Sequence, residues 1–198
     1  MEHNLDFTTV DLQRDFDETA ELATCAEQPE GVLPKLLAML VARRRSVKRQ
    51  MKALSKNCAE YAALDIKQLS VKLVANSLYG TLGYVRSRFY APQIAALITA
   101  HGRKALRDAK LLIEQSFPYQ VIYGDTDSLM LSTGITASGA TVRETYATAL
   151  QLAHEVVAEV NKQYRKLELE FESVFRRLLL VGKKNYAAAV FVRLLAIR

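Results

Sequence analysis

The residues best suited to chemistry are two aspartates, Asp125 and Asp127, which stand one residue apart in the segment YGDTDS. The apolar segments 120–123 and 128–131 flank them and predict two strands joined by a turn that carries both carboxylates. Hard cations such as Mg²⁺ bind carboxylate oxygens together with substrate phosphates and water. Aspartate is also common in ordinary turns, because its side chain bonds to the local backbone. The pair alone therefore leaves a magnesium site and a plain turn both open.

A second set of polar residues lies on a predicted helix, in the pattern KxxxNSxYG. Lys72, Asn76 and Tyr79 are four and three residues apart, a spacing that places them on one helical face. A cation, an amide and an aromatic ring arranged in this way can meet a phosphate, a sugar and a base. The alternative is a polar face exposed to water, with Tyr79 packed at the helix end.

A basic helix precedes this pattern. Its cations step by four residues along one side, and they are Arg44, Lys48, Lys52 and Lys56. A stripe of this kind fits a polyanionic ligand, and it equally fits the solvated face of an amphipathic helix.

A third basic site, KKxY, lies between two predicted strands near the C-terminal end. Lys183 and Lys184 would add salt-dependent affinity for a nucleic-acid backbone, with Tyr186 beside them. Lysines also protect exposed strand edges from pairing, which is the alternative reading of this segment.

The composition favours a globular protein with a polyanionic partner. Half of the 198 residues are hydrophobic, and 27 Lys and Arg against 21 Asp and Glu give a net charge of +6. Two cysteines provide neither a disulfide framework nor a metal cluster, so a reducing intracellular compartment is expected. The N-terminal residues do not resemble a secretory signal, and no apolar run has the length of a membrane span.

The predicted fold class is α+β, and the length allows one sizeable core or two small lobes that share a boundary. An irregular or weakly helical acidic segment at 10–30 is expected to precede an antiparallel helical hairpin, whose second helix would begin at a capping pair formed by Asp65 and Gln68. The remaining helices and strands follow from their periodicity, with a loop at 133–139. The predicted helices are 34–63, 66–80, 91–115 and 141–164, and the predicted strands are 120–123, 128–131, 167–171, 174–181 and 186–192.

The order of these motifs over residues 1–192 resembles that of B-family DNA polymerases. The basic helix is followed by KxxxNSxYG, then YGDTDS, then KKxY, and the joint spacing is long enough that coincidence is a poor explanation. The segment GYVRSRFYA at 83–91 is most similar to the replicative alpha type. So is GVLP at 31–34, which leads into the basic helix. A helical domain that resembles the family by chance is the remaining structural alternative.

The resemblance implies a fingers hairpin attached to a palm with a small antiparallel sheet and packed helices. The implied divisions are a palm-proximal entry segment at 1–30, fingers at 31–82, palm at 83–192 and a truncated end at 193–198. It also implies primer-template DNA, including RNA-primed DNA, and deoxynucleoside triphosphates as substrates. Primase and accessory subunits would be partners, in the nucleus, with no membrane involved.

The resemblance also implies residue roles. The residues implied to bind the incoming nucleotide are Arg44, Lys48, Lys72, Asn76 and Tyr79. Asp127 is implied as a direct Mg²⁺ ligand, and Asp125 as either a ligand or a group acting through water. Lys183, Lys184 and Tyr186 would hold the primer-template duplex.

One family motif is missing from the chain. The family holds its metals with a further aspartate, followed by Ser-Leu-Tyr-Pro-Ser, and the segment HNLDFTTV at 3–10 resembles what comes after it. The sequence therefore predicts a fragment of a larger polymerase that is inactive alone. The alternative function is a nucleotide- or nucleic-acid-binding module without catalysis.

Overall fold

A computed structural model describes residues 1–10, 27–135 and 141–190. The described part of the chain is α+β, as predicted, and divides into two compact units, Met1–His101 and Gly102–Arg198. Its helices are α1 (Val32–Lys52), α2 (Ala59–Gly83), α3 (Pro92–Ser116) and α4 (Val142–Asn161). Its strands are β1 (Gln120–Gly124), β2 (Leu129–Ser132), β3 (Phe175–Gly182) and β4 (Asn185–Val190). None of these helices is long and apolar enough to cross a membrane.

The first unit contains the predicted helical hairpin, formed by α1 and α2, but its turn lies elsewhere than expected. The helices are separated by residues 53–58, and α2 begins after Cys58, whose Sγ accepts a hydrogen bond from the Tyr61 N–H at 3.3 Å. Asp65 lies inside α2, where its Oδ1 accepts from Gln68 Nε2 at 2.9 Å. The predicted break at 64–65 is therefore wrong. The carboxylate bonds a side chain and not an unpaired backbone N–H, so it does not cap a helix.

The N-terminal segment caps α1 from a distance. Gly31, at the N-cap, has no side chain to do so. Asn4 Oδ1 accepts from the Gly31 N–H at 2.9 Å, and Asp6 Oδ2 accepts from the Val32 N–H at 2.6 Å. A Cβ on Gly31 would lie 2.6 Å from the Asp6 carboxylate, so this close approach requires glycine. The core of the unit lies beside this contact and comprises Leu5, Val10, Leu82, Ala91, Ile94 and Leu97.

The second unit is built around α4, the part of α3 from Gly102 onward and the predicted β1–β2 hairpin. The two helices form a core from Ala109, Ile113, Val156 and Val160. The strands β1 and β2 pair antiparallel, from Gln120 opposite Ser132 to Gly124 opposite Leu129, with an irregularity between Val121 and Tyr123. Leu129 and Val121 pack against the helical core, which fixes the hairpin on the helices.

The strands β3 and β4 form a second antiparallel hairpin, joined by Lys183 and Lys184. The strand predicted at 167–171 is wrong. The Asn161 amide binds both backbone groups of Leu169, donating to its carbonyl at 3.1 Å and accepting from its N–H at 2.7 Å. These bonds occupy the groups that a strand ladder needs. Most of the predicted acidic entry segment, part of the loop at 133–139 and the end at 193–198 lie outside the described residues.

Candidate metal and nucleic-acid site

The turn at 125–128, called here the aspartate turn, holds both predicted metal-site carboxylates. The Asp125 N–H donates to the Ser128 carbonyl at 3.0 Å and closes the turn. Gly124 precedes it, and a Cβ there would lie 3.2 Å from the Leu129 side chain. A larger residue at 124 would press on Leu129, whose side chain seats the hairpin against the helices. The hairpin therefore presents its carboxylates on a short turn supported by the core.

The lysine turn, residues 183 and 184, contacts the aspartate turn. Lys184 Nζ lies 2.6 Å from Asp125 Oδ2, and the backbone N–H of Lys184 donates to the Tyr123 hydroxyl at 2.9 Å. The rings of Tyr123 and Tyr186 lie 6.2 Å apart, tilted at 55°. The structure thus brings together three of the predicted site residues, Asp125, Lys184 and Tyr186, from two separate motifs.

The ion pair sets the charge of Asp125. The hydrogen bond from Lys184 holds the pKa of the Asp125 carboxyl below its ordinary value, and burial opposes this shift. The same bond raises the pKa of the Lys184 ammonium above its ordinary value. Both groups are therefore ionised at neutral pH. Since the side chains are 25% and 61% exposed, solvent screens the pair.

Asp127 differs from Asp125 in its bonding. Its side chain is exposed, and within the described ranges its carboxylate makes no hydrogen bond or ion pair. Its oxygens are hard donors of the type that Mg²⁺ prefers. The residues present therefore fit a magnesium site through Asp127, with Asp125 engaged by Lys184.

The two carboxylates form only part of a ligand set. Among the residues that the structure describes, no group of three or more His, Cys, Asp and Glu side chains is placed to hold a metal. Mg²⁺ commonly binds through one or two protein carboxylates and completes its shell with phosphates and water. The turn suits a cation that arrives with a phosphate ligand.

The predicted nucleotide-binding residues all belong to the first unit. Lys72, Asn76 and Tyr79 are exposed on α2. The Tyr79 side chain is 44% exposed, so the three residues form a polar face that is open to solvent. Lys48 is exposed on α1.

Arg44 is held between the helices of the hairpin. It is partly buried, and its Nε donates to Gln68 Oε1 at 3.2 Å. Gln68 in turn donates to Asp65, so a chain of hydrogen bonds runs from the guanidinium to the carboxylate. Sequence reasoning assigned Gln68 to a cap and missed this role. The available signal was a glutamine one turn before Lys72.

Tyr123 is a second residue whose role the sequence did not indicate. Its position in YGDTDS was noted, but its hydroxyl bonds a backbone group 61 residues away. No local pattern predicts such a partner.

Comparison with known proteins gives the family. The model of DNA polymerase family B matches residues 1–194. The chain is 45% identical over 188 residues to the catalytic subunit of DNA polymerase alpha from Saccharomyces cerevisiae, a match over 94% of this chain and 12% of the yeast protein. It is 47% identical over 158 residues to the DNA polymerase alpha catalytic subunit of Trypanosoma brucei brucei, over 79% of this chain and 11% of that protein.

A solved structure of a family B DNA polymerase is also similar to this chain. The family B DNA polymerase from the hyperthermophilic archaeon Pyrobaculum calidifontis matches with a TM-score of 0.57 and 30% identity, over 83% of this chain and 19% of the archaeal chain. The chain spans about an eighth of the length of the curated relatives it matches. From the family match over residues 1–194, the chain belongs to DNA polymerase family B, as a homologue of part of the DNA polymerase alpha catalytic subunit.

Proposed function

We propose that the chain forms part of a DNA-directed DNA polymerase that adds deoxynucleotides to a primer 3′ end during DNA replication. The observation that carries this proposal is the aspartate turn. It offers Asp127, whose carboxylate makes no hydrogen bond or ion pair among the described residues, beside Asp125, which pairs with Lys184, within a chain that matches the family model. The substrates are deoxynucleoside triphosphates and primer-template DNA, including RNA-primed DNA. Primase and accessory subunits are the proposed partners, in the nucleus.

The chemistry of phosphoryl transfer suits the residues present. Such reactions depend mainly on positioning and on neutralising phosphate charge. Bound Mg²⁺ would supply activation of the attacking hydroxyl and stabilisation of the leaving group. Asp127 would hold metal directly, while Asp125, bonded to Lys184, contributes from beside it.

The residues of the helical hairpin would bind the incoming nucleotide. Lys72 and Lys48 are exposed cations suited to a triphosphate. Arg44 is oriented by Gln68, which restricts its rotamers before the ligand arrives. Asn76 would bind a sugar or phosphate oxygen, and Tyr79 would pack beside the nascent base pair. Template pairing and pocket shape would select the base.

Residues 1–198 taken alone are proposed to bind nucleotide or nucleic acid without catalysing primer extension. Two separated carboxylates are needed to clamp two ions from opposite sides, and Asp125 and Asp127 share one turn. A nucleotide- or nucleic-acid-binding module without catalysis is therefore the second candidate function, and it concerns residues 1–198 taken alone. The lack of a third metal-binding side chain near the turn, within the described residues, favours it.

Substitution of Asp127 tests the proposed function. In a polymerase that contains this segment, Asp127→Asn should nearly abolish Mg²⁺-dependent primer extension, since the amide keeps the shape and loses the charge. Affinity for primer-template duplex should change little.

Asp108→Asn is a matched control. Asp108 pairs with Lys104 on the exposed side of α3, away from the aspartate turn in sequence, so this variant should extend primers like the wild type. Extension by Asp127→Asn within a few-fold of wild type would remove Asp127 from the metal site.

A further inference from the structure

Two buried side chains of the N-terminal segment hold the start of α1. Asn4 and Asp6, called here the N-terminal clasp, each accept a hydrogen bond from a backbone N–H at the helix start, at 2.9 and 2.6 Å. The Asn4 amide also donates to the carbonyls of residues 28 and 29, at 3.2 and 3.0 Å. The clasp therefore fixes both the helix and the chain that leads into it.

The clasp is itself held in one conformation. Asn4 has a φ of 50°, in the left-handed region that residues with a Cβ rarely adopt and that persists where surrounding bonds hold it. The Thr9 hydroxyl supplies such bonds, because it donates to the Asn4 carbonyl at 2.5 Å and accepts from the Asp6 N–H at 2.9 Å. The clasp is therefore a rigid support and not a pair of mobile surface side chains.

The core of the first unit contacts the helical hairpin at its base, near the clasp. Leu33 of α1 and Leu82 of α2 pack there. Further along the helix, α1 is exposed at Leu36 and Met39. The angle at which the hairpin leaves the core therefore depends on the contacts at its base.

A small change of this angle has a large effect on the cations of α1. Arg44 and Lys48 lie 12 and 16 residues after Val32. At a rise of about 1.5 Å per residue they are about 18 and 24 Å from the helix start, so a tilt of about 5° would move Lys48 by about 2 Å. Hydrogen-bond lengths vary by only about 0.5 Å, and such a tilt would break a phosphate contact.

We propose that Asn4 and Asp6 are positioning residues for nucleotide binding: they set the angle of the helical hairpin and so place Arg44 and Lys48 against the triphosphate. This inference rests on the proposed function, because it assumes that these cations bind the nucleotide. It gives a role in binding to two residues that the predicted nucleotide site did not include.

A looser base changes the kinetics in a way that a loss of fold stability does not. If the hairpin samples several angles, the nucleotide binds only the fraction of molecules with the competent angle, and the apparent affinity falls by that fraction. Saturating nucleotide selects the competent angle again. KM therefore rises while kcat changes little.

The test measures kcat and KM for one nucleotide separately, in a polymerase that contains this segment. Asn4→Gly removes the side-chain bonds but suits the left-handed backbone, and it should raise KM about fivefold with kcat within about twofold of wild type. Asp6→Ala should behave in the same way. Asp6→Asn keeps an oxygen that can accept from the Val32 N–H, so its KM should stay close to wild type.

Thr141→Ala is the control for a loss of stability, because it removes a helix cap in the second unit. The KM of this variant should match that of the wild type. Equal increases of KM in Thr141→Ala and Asn4→Gly would overturn the inference, as would an unchanged KM in Asn4→Gly.

The hairpin angle is measured independently of activity by the distance between two spin labels. Ala53 directly follows α1, Ala96 lies on α3 within the first unit, and both are exposed. Labels at Ala53→Cys and Ala96→Cys, in a polymerase without other reactive cysteines, report this distance by pulsed electron paramagnetic resonance. Asn4→Gly should broaden the distance distribution, and an unchanged distribution would show that the clasp does not set the angle.

Failure of the proposed function would give a different result. If the distribution broadened in Asn4→Gly but Lys48→Ala left KM unchanged, the clasp would set the angle of a hairpin that does not bind the nucleotide. The proposed nucleotide site would then be wrong, and with it the role of the clasp in binding.

Discussion

At the residue scale, Lys72 is the cation whose predicted role is most open to measurement. It is exposed on α2, four residues before Asn76 and one turn after the buried Gln68. In a polymerase that contains this segment, Lys72→Ala should lower kcat/KM for the nucleotide tenfold to a hundredfold, since a charge-assisted phosphate contact contributes about 2 kcal/mol.

A lysine on another side of the same helix provides the control for this substitution. Lys67 is exposed five residues earlier and, at about 100° per residue, points well away from Lys72. Lys67→Ala should leave kcat/KM close to wild type. If kcat/KM fell equally in the two variants, the loss would reflect the total positive charge of the helix and not a specific phosphate contact at Lys72.

Asp6 is a residue with a structural role that composition could not reveal. It is 1% exposed, and its Oδ2 accepts from the Val32 N–H and from the Thr8 hydroxyl, at 2.6 and 3.0 Å. Its Oδ1 is buried without a hydrogen-bond partner among the described residues.

Asp6→Ala should lower the free energy of unfolding by about 1–3 kcal/mol, because it removes the cap of α1 and leaves the Val32 N–H unsatisfied. Urea denaturation followed by circular dichroism measures this. Stability within a few tenths of wild type would mean that water replaces the carboxylate at Val32.

At the scale of elements, α4 shows a cap that sequence and structure define together. The Thr141 hydroxyl accepts from the Glu144 N–H at 3.3 Å, and the Glu144 carboxylate accepts from the Thr141 N–H at 2.8 Å. These bonds to Thr141 lower the pKa of the Glu144 carboxyl below its ordinary value of 4.5. The folded-state pKa lies below the unfolded one. The bond therefore stabilises the protein above the unfolded pKa, and this stabilisation is lost as pH falls through the folded pKa.

Thr141→Ala should lower the free energy of unfolding by about 1 kcal/mol at neutral pH, as loss of a threonine cap does. The difference from wild type should shrink as pH falls through the folded-state pKa of Glu144, where its carboxylate becomes protonated. Unfolding curves at neutral and acidic pH test both statements. If the difference in the free energy of unfolding did not vary with pH, the cap would depend on the Thr141 hydroxyl alone and not on the Glu144 carboxylate.

The helical hairpin shows where local signals mislead. Asp65 and Gln68 have the spacing of a capping box, yet both lie within α2. The actual turn contains Ser55 and Asn57, residue types whose side chains compete for backbone bonds and favour turns. Gln68 faces α1 because Arg44 is there to bond it, which is a contact between helices and not a property of either segment.

At the scale of the whole molecule, residues 1–198 taken alone should not extend a primer. Both aspartates of the site lie on one turn, and no third ligand is placed beside them within the described residues. With Mg²⁺, all four nucleotides and protein free of host polymerase, we expect no extension. Extension that disappears in the Asp127→Asn variant would show that the chain carries a complete site.

The isolated chain should still bind DNA, with low affinity, although it does not extend a primer. The net charge of +6 and the exposed Lys48, Lys72 and Lys183 favour a polyanion. Affinity should fall steeply with salt, as phosphate contacts require. Anisotropy in low and high salt measures this, and binding insensitive to salt would contradict a phosphate-based contact.

Periodicity and turn residues are local signals, so the order of amino acids was enough to predict the α+β class, the helical hairpin, the β1–β2 hairpin and the two strands that become β3 and β4. It did not predict that β3 and β4 pair with each other. The order and spacing of the motifs were likewise enough to indicate the family. These local signals could not predict which charged side chains form ion pairs. Lys183 and Lys184 are identical in type and adjacent, yet one pairs with Asp125 and the other does not. The partners of that pair lie 59 residues apart in the chain, and only folding brings them within bonding distance.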